Sequence, residues 1–377
     1  MTDRPPPPAE QSVRAALTGV IDPELGDNIV DLGMVRSLSV ADDGTVAVTV
    51  ALTIAGCPLR TQLRSDVEGR VGSLPGVTGV SVEMGEMTTG ERAALMDRAR
   101  HKAAEDRAVA TDIPAEARVL AVSSGKGGVG KSSVTVNLAV ALARRGRTVG
   151  LLDADIWGFS VPRMLGMTGQ LRADDTRKIV PLELAVGPGL VKVVSMGFLA
   201  DEDTAIMWRG LILNRAVQQF LEDVRWGGLD YLLVDMPPGT GDVQMGLARM
   251  LPRTEVLVVT TPPLAAQKVA ARAADMARKG HLRVAGVIEN MSAFTCDHGT
   301  EYALFGAGGG ARLAAEIGVP LVGTVPLHPD MAAAGDAGQP VALGGGPLAE
   351  AFDALATAVV EDIAPVVETT GCTARML

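Results

Sequence analysis

Eight consecutive residues, Gly125-Lys126-Gly127-Gly128-Val129-Gly130-Lys131-Ser132, have the composition needed to hold a chain of phosphates. Glycines let successive backbone N–H groups turn inward onto anionic oxygens, Lys131 supplies a fixed positive charge, and the Ser132 hydroxyl can bind Mg²⁺. The segment follows an apolar run, Val119 to Ser123, and precedes a helical pattern, Ser133 to Arg145. It therefore sits between a strand and a helix N-terminus, where the helix dipole adds to the attraction for anions. An empty glycine-rich turn would not need the lysine, the hydroxyl and the flanking elements together. Lys126 is additional, because a second ammonium in one loop is more cation than the cradle of a single nucleotide requires.

Two acidic segments stand where a phosphate-transfer site would use them. Leu151-Leu152-Asp153-Ala154-Asp155-Ile156 ends a strand pattern with paired acids, one of which could orient an attacking water or hold a metal-bound one. Acids that merely cap a strand end are common, so this pair carries little weight alone. Leu232-Leu233-Val234-Asp235 is an apolar strand that delivers Asp235 to a sheet edge, where such an acid meets Mg²⁺. The following Pro237-Pro238-Gly239 turn places a backbone N–H near a γ-phosphate.

These groups need a scaffold, and the apolar pattern supplies one. Val119–Ser123, Thr148–Asp153, Leu190–Ser195, Tyr231–Asp235, Glu255–Thr260 and Arg283–Asn290 read as buried strands, several without polar alternation, separated by amphipathic helical stretches. Such runs suit a mostly parallel α/β sheet covered by helices on both faces. A final helix is expected within Pro347–Ile363. Ahead of this lies a smaller α+β unit with a helix near Val13–Val20, a strand at Val46–Leu52, a helix at Leu59–Leu74 and a strand at Val77–Glu83. The expected division is a disordered start (1–10), the small domain (11–85), a charged Arg/Glu/Ala-rich linker (86–117), the phosphate-loop domain (118–365) and a tail (366–377).

Composition sets outer limits. The 377 residues are 47% hydrophobic and 21% charged, the balance of a globular protein. The net charge of -10 opposes sequence-independent capture of nucleic acid or anionic lipid, so neither partner is expected. No eighteen-residue apolar span and no apolar leader is visible, which gives a cytoplasmic expectation. The three cysteines, Cys57, Cys296 and Cys372, are too far apart to read as a disulfide framework.

The paired lysines of the loop resemble the deviant Walker-A class of ATPases, which includes the MinD, ParA, nitrogenase iron protein and Mrp families. Over Val119 to about Ile363 the chain is similar to the Mrp (ApbC-type) iron-sulfur cluster carriers. The residues behind this are the loop itself, Leu152-Asp153-Ala154-Asp155-Ile156-Trp157-Gly158, Val234-Asp235-Met236-Pro237-Pro238-Gly239-Thr240-Gly241-Asp242, Glu289-Asn290-Met291-Ser292 and Phe305-Gly306-Ala307-Gly308-Gly309-Gly310. The N-terminal unit resembles a small domain found in iron-sulfur assembly factors, through Asp22-Pro23-Glu24-Leu25-Gly26, Ile29-Val30-Asp31-Leu32-Gly33 and Gly56-Cys57-Pro58.

The resemblance implies a homodimer that binds and slowly hydrolyses ATP, holds a [4Fe-4S] cluster at its interface and passes it to apo iron-sulfur proteins, alongside other assembly factors. It implies that Lys126 reaches the partner's nucleotide, that Asp155 handles the water, and that Asn290 meets the adenine edge. The family's cluster ligands are a Cys-x-x-Cys pair from each subunit. Here the chain reads Cys296-Asp297-His298-Gly299, so a dimer offers two thiolates from this turn. His298 or Asp297 would have to complete the set, since imidazole replaces thiolate in some clusters; otherwise Cys296 is a small loop residue. Cys57, beside a Gly-Pro turn, is either a transfer thiol or a packed one. Two other readings use the same loop: a MinD/ParA-like switch or scaffold ATPase without a cluster, and a small-molecule kinase, for which no acceptor pocket is visible.

Overall fold

The computed structural model describes residues 6–22, 27–52, 60–88, 90–92, 95, 111–155, 158–198, 210–239 and 242–366. The chain forms two units, Met1–Arg107 and Ala108–Leu377. The first contains α1 (Glu10–Leu17), β1 (Val35–Val40), β2 (Thr45–Leu52), α2 (Arg60–Gly72) and β3 (Gly79–Glu86). Its sheet runs β1-β2-β3, with β1 antiparallel and β3 parallel to β2. Leu63, Val67 and Val71 recur every four residues on α2, so they share one face. They are buried with Val46, Val48 and Val50, the alternate residues of β2. Leu95, within the stretch whose composition reads as linker, is buried in the same core.

The second unit is built on nine strands. β4 (Arg118–Ser124), β5 (Thr148–Asp153), β9 (Gly189–Ser195), β10 (Tyr231–Asp235), β11 (Glu255–Thr260), β12 (Arg283–Thr295) and β14 (Leu321–Leu327) form its parallel part. β8 (Leu182–Val186) and the short β13 (Glu301–Tyr302) add antiparallel edges, and β6 (Arg172–Ala173) pairs with β7 (Ile179–Val180) separately. The order is β13-β12-β11-β4-β10-β5-β9-β8, with β14 on β12. Leu120 and Val122 of β4 enter one core cluster, whereas Val119 and Ala121 enter the other. Both faces of the strand are thus covered, which explains why its sequence is apolar without alternation.

On one face lie α3 (Lys131–Arg144) and α10 (Pro347–Ala358); the opposite core takes residues from α5 (Gly210–Glu222), α6 (Asp242–Met250), α7 (Leu264–Lys279) and α8 (Gly309–Ile317). Two shorter helices, α4 (Val161–Met164) and α9 (Pro329–Asp336), follow β5 and β14. Residues 111–117 pack on this unit: Ile113 and Ala117 are buried, and the Arg253 guanidinium donates to the carbonyls of Ile113, Pro114 and Ala115. Among the described residues no helix is long and apolar enough to cross a membrane.

Candidate nucleotide site

The sheet order reverses at β4. After β4 the chain crosses α3 to β5 on one side, whereas β11 and β12 lie on the other. Loops at the carboxyl ends of strands diverge at such a switch point and leave a crevice. The glycine-rich loop occupies that position. A cavity of about 270 Å³ opens there, lined by the loop residues 126–133 together with Asp155, Ser160 and Pro238. Backbone bonds bring the other segments in: Met236 N–H donates to the Val122 carbonyl (3.1 Å), Gly239 N–H to Ser124 (3.3 Å) and Ala154 N–H to Asp235 (2.9 Å).

At the floor of the cavity three donors converge on one carboxylate. Lys131 Nζ lies 2.7 Å from Asp235 Oδ1, Ser132 Oγ donates to Oδ2 at 2.6 Å, and Thr135 Oγ1 to Oδ1 at 3.0 Å. Asp235 is fully buried and Lys131 is 6% exposed. A buried charge of this kind is tolerable only when paired and hydrogen-bonded. Thr135 escapes a motif search, although its position one helical turn after Lys131 places both on one face of α3.

The paired acids separate in role. Asp153, at the end of β5, is buried, and Asp155 is half-buried at the cavity. Burial, then the neighbouring Asp235 charge, pushes the Asp153 carboxyl up to about 7, outweighing Lys131 and its hydrogen-bond donors. Burial also raises Asp155, against the downward pull of Lys131. An Asp whose folded pKa exceeds its unfolded one holds its proton more tightly when folded, so its contribution to stability falls as pH rises toward the folded value. Asparagine lacks that proton. The melting temperature of nucleotide-free Asp153→Asn relative to wild type should therefore climb between about pH 4 and about pH 7. A difference that stays constant over this range in a pH series of melts would contradict it.

Asn290 lies on the far side of the loop, at 3% exposure, and its Nδ2 donates to the Val129 carbonyl at 2.8 Å. A Cβ on Gly130 would fall 2.2 Å from that Nδ2, and Gly130 has φ of 78°. Close approach and left-handed backbone both require glycine there. Next to Asn290, the Glu289 carboxylate accepts from Gly310 N–H, tying the glycine-rich start of α8 to β12.

Cys296 follows β12 in a tight hairpin closed by Gly299 N–H to the Cys296 carbonyl (2.8 Å) and Cys296 N–H to Thr300 (3.0 Å). Backbone N–H donors, His298 first and then Thr300, hold its thiol below the usual range. Asp297, His298 and Gly299 are exposed. Among the described residues no three His, Cys, Asp or Glu side chains gather as a metal site within one chain. Cys57 and Cys372, and the motif residues Pro23–Gly26, Ile156, Trp157, Thr240 and Gly241, lie outside the described residues.

A phosphate loop at the switch point of a parallel sheet, with its lysine and serine set on a buried acid, defines a P-loop ATPase. A family model described as NUBPL iron-transfer P-loop NTPase matches residues 116–360, and one described as iron-sulfur cluster assembly protein matches residues 10–83. The chain is 46% identical over 338 residues to the iron-sulfur cluster carrier protein of Mycobacterium tuberculosis, covering 88% of this chain and 87% of that protein. It is 42% identical over 333 residues to the protein of the same name from Synechocystis, covering 88% and 90%. A solved structure of a nucleotide-binding protein from Archaeoglobus fulgidus, in complex with ADP, is similar at TM-score 0.52 and 33% identity, over 66% of this chain and 93% of that one. The chain belongs to the iron-sulfur cluster carrier family of P-loop ATPases, and it binds and hydrolyses ATP.

Proposed function

We propose that two copies of this chain form an ATP-driven carrier that takes up an iron-sulfur cluster at Cys296 and delivers it to apo-proteins. The observation that carries the ATP cycle is the convergence of Lys131, Ser132 and Thr135 on Asp235 at the floor of a cavity also lined by Lys126 and Asp155. The N–H groups of Gly125–Gly130 and the Lys131 ammonium bind the β- and γ-phosphates. Ser132 and Asp235 already share one hydrogen bond at the helix N-terminus, an oxygen pair suited to Mg²⁺, which would neutralise phosphate charge there. Asp155 orients water toward the γ-phosphorus and accepts its proton as the bond to the water oxygen forms and the bond to the β–γ bridging oxygen breaks, giving ADP and phosphate. A carboxylate made more basic by burial suits that task. Lys126 serves the partner's nucleotide. Asn290 accepts from the adenine amine through Oδ1 while its Nδ2 keeps the loop in place.

The cluster is cargo. Cys296 supports this reading by combining accessibility with a thiol shifted toward thiolate, the form that binds iron. With Gly299 at the second position, His298 is the proposed companion ligand in a [4Fe-4S] or smaller cluster, and Cys57 the proposed transfer thiol. The same glycine favours the rival reading, a nucleotide switch that recruits a partner without metal. Anaerobic reconstitution followed by iron and sulfide counting separates them. Wild type should retain cluster and Cys296→Ala should lose most of it. A wild-type chain that dimerises with ATP but takes up neither iron nor sulfide belongs to the switch class.

A further inference from the structure

Asp153 carries four hydrogen bonds that the ATP cycle leaves unexplained. It ends β5 with Asp235 of β10 in register on one side and Ser195 of β9 on the other. Its Oδ1 accepts from Asp155 N–H at 3.2 Å. Its Oδ2 accepts from Ser160 N–H (3.2 Å), Val161 N–H (3.3 Å) and the Ser195 hydroxyl (3.1 Å). The donors at Asp155, Ser160 and Val161 flank the turn whose carboxylate lines the phosphate cavity. Asp155 in turn accepts from Gly158 N–H at 3.2 Å. One buried side chain therefore gathers both ends of the segment that presents Asp155.

Ser195 extends the arrangement to the next strand. It is fully buried, its hydroxyl donates to Asp153, and its oxygen accepts from Gly197 N–H at 3.1 Å. Gly197 itself lies against the Phe159 ring, since a Cβ there would come within 2.6 Å of Cδ2. The end of β9 thus meets Asp153 through a hydroxyl, and the turn after it packs on the Phe159 ring of the segment. Buried polar groups satisfied this fully restrict a segment to one arrangement.

We propose that Asp153 and Ser195 form a buried latch that positions Asp155 for hydrolysis. Neither group lines the phosphate cavity, so both are positioning residues, and the assignment rests on the reading that Asp155 orients the water. Ser195→Ala removes a single hydroxyl and leaves Asp153 three backbone donors. The latch then holds the segment less firmly while the glycine-rich loop, on the other side of Asp235, keeps its own bonds.

The test uses the full chain. In Ser195→Ala, amide exchange at Asp155, Ser160 and Val161 should accelerate by at least about tenfold, with exchange along α3 unchanged. Single-turnover hydrolysis at saturating ATP should slow about tenfold. ATP affinity should stay within about twofold of wild type, since no phosphate contact is touched. Ser195→Thr, which keeps the hydroxyl, should restore both readouts. In an Asp155→Ala background, Ser195→Ala should cost nothing more, because residues acting through one another are not additive. Unchanged exchange overturns the latch, and so does faster exchange with wild-type hydrolysis or with a loss that persists in Asp155→Ala. If Asp155→Ala alone hydrolyses normally, the water-orienting reading fails instead, and exchange still reports on the latch separately.

Discussion

Replacing Lys131 by alanine should raise the dissociation constant for Mg-ATP by about ten- to a hundredfold, because a charge-assisted contact to the phosphates is worth about 1.5–3 kcal/mol and every 1.4 kcal/mol is tenfold. Isothermal titration measures this directly. The same change strips Asp235 of its buried cation, 2.7 Å away, and should destabilise the nucleotide-free protein by about 3 kcal/mol. The two effects separate in the double variant Lys131→Ala, Asp235→Asn, which should regain stability without regaining affinity. Lys126 contrasts with it as an exposed residue with no shared bond to Asp235. Lys126→Ala should bind ATP normally yet fail to dimerise with it. Equal assembly of this variant and wild type in sedimentation would remove the role across the interface, and near-normal affinity in Lys131→Ala would undo the site itself.

Gly125→Ala should be nearly as damaging, for a steric reason. A Cβ at this position would lie 2.3 Å from the Val269 carbonyl carbon and 2.5 Å from Ala270 N, both backbone atoms of α7. No rotamer relieves a clash with backbone, so the end of β4 or the helix must shift, at about 1–3 kcal/mol. Displacing the start of the loop by a fraction of an ångström also misplaces every donor after it, and a misplacement near 1 Å costs about a hundredfold in rate. Melting temperature and turnover should both fall. Gly127→Ala is the control for stability, since its Cβ meets nothing closer than Pro238 at 4.0 Å. If both variants melt alike, the tight contact between β4 and α7 does not constrain the loop.

The loop was legible in the sequence because its requirements are local: glycine, lysine and hydroxyl at fixed spacing between a strand and a helix. The central strands were legible for a related reason. Burial on both faces leaves a continuous apolar run, and Thr148–Asp153, Tyr231–Asp235 and Glu255–Thr260 are strands over those same bounds. Other edge strands escaped, although β3, at one edge of the smaller sheet, was expected at Val77–Glu83. β14 contains Gly323 and Pro326, which weaken a strand pattern, and it pairs with β12 on the described sheet. β1 packs Val35, Leu38 and Val40 on the core, but a bulge between Val35 and Ser37 breaks their alternation along the sequence. β12 was read as ending at Asn290 but continues to Thr295 through Met291, a left-handed residue at φ of 56° that a propensity argument would place in a turn. The roles of Thr135, Ser195 and the Asn290 amide depend on partners roughly 40 to 160 residues away, which spacing along the chain does not reveal.

Lys131 neutralises Asp235, the carboxylate proposed above to face the divalent ion. The ammonium gains nothing by stepping aside for a bare cation, since no anion would be there to receive it. It moves at little cost only when triphosphate oxygens arrive to take over as its counter-charge. On the proposed reading the metal should therefore come in already complexed to its nucleotide, and calorimetry should find free magnesium binding far more weakly than Mg-ATP.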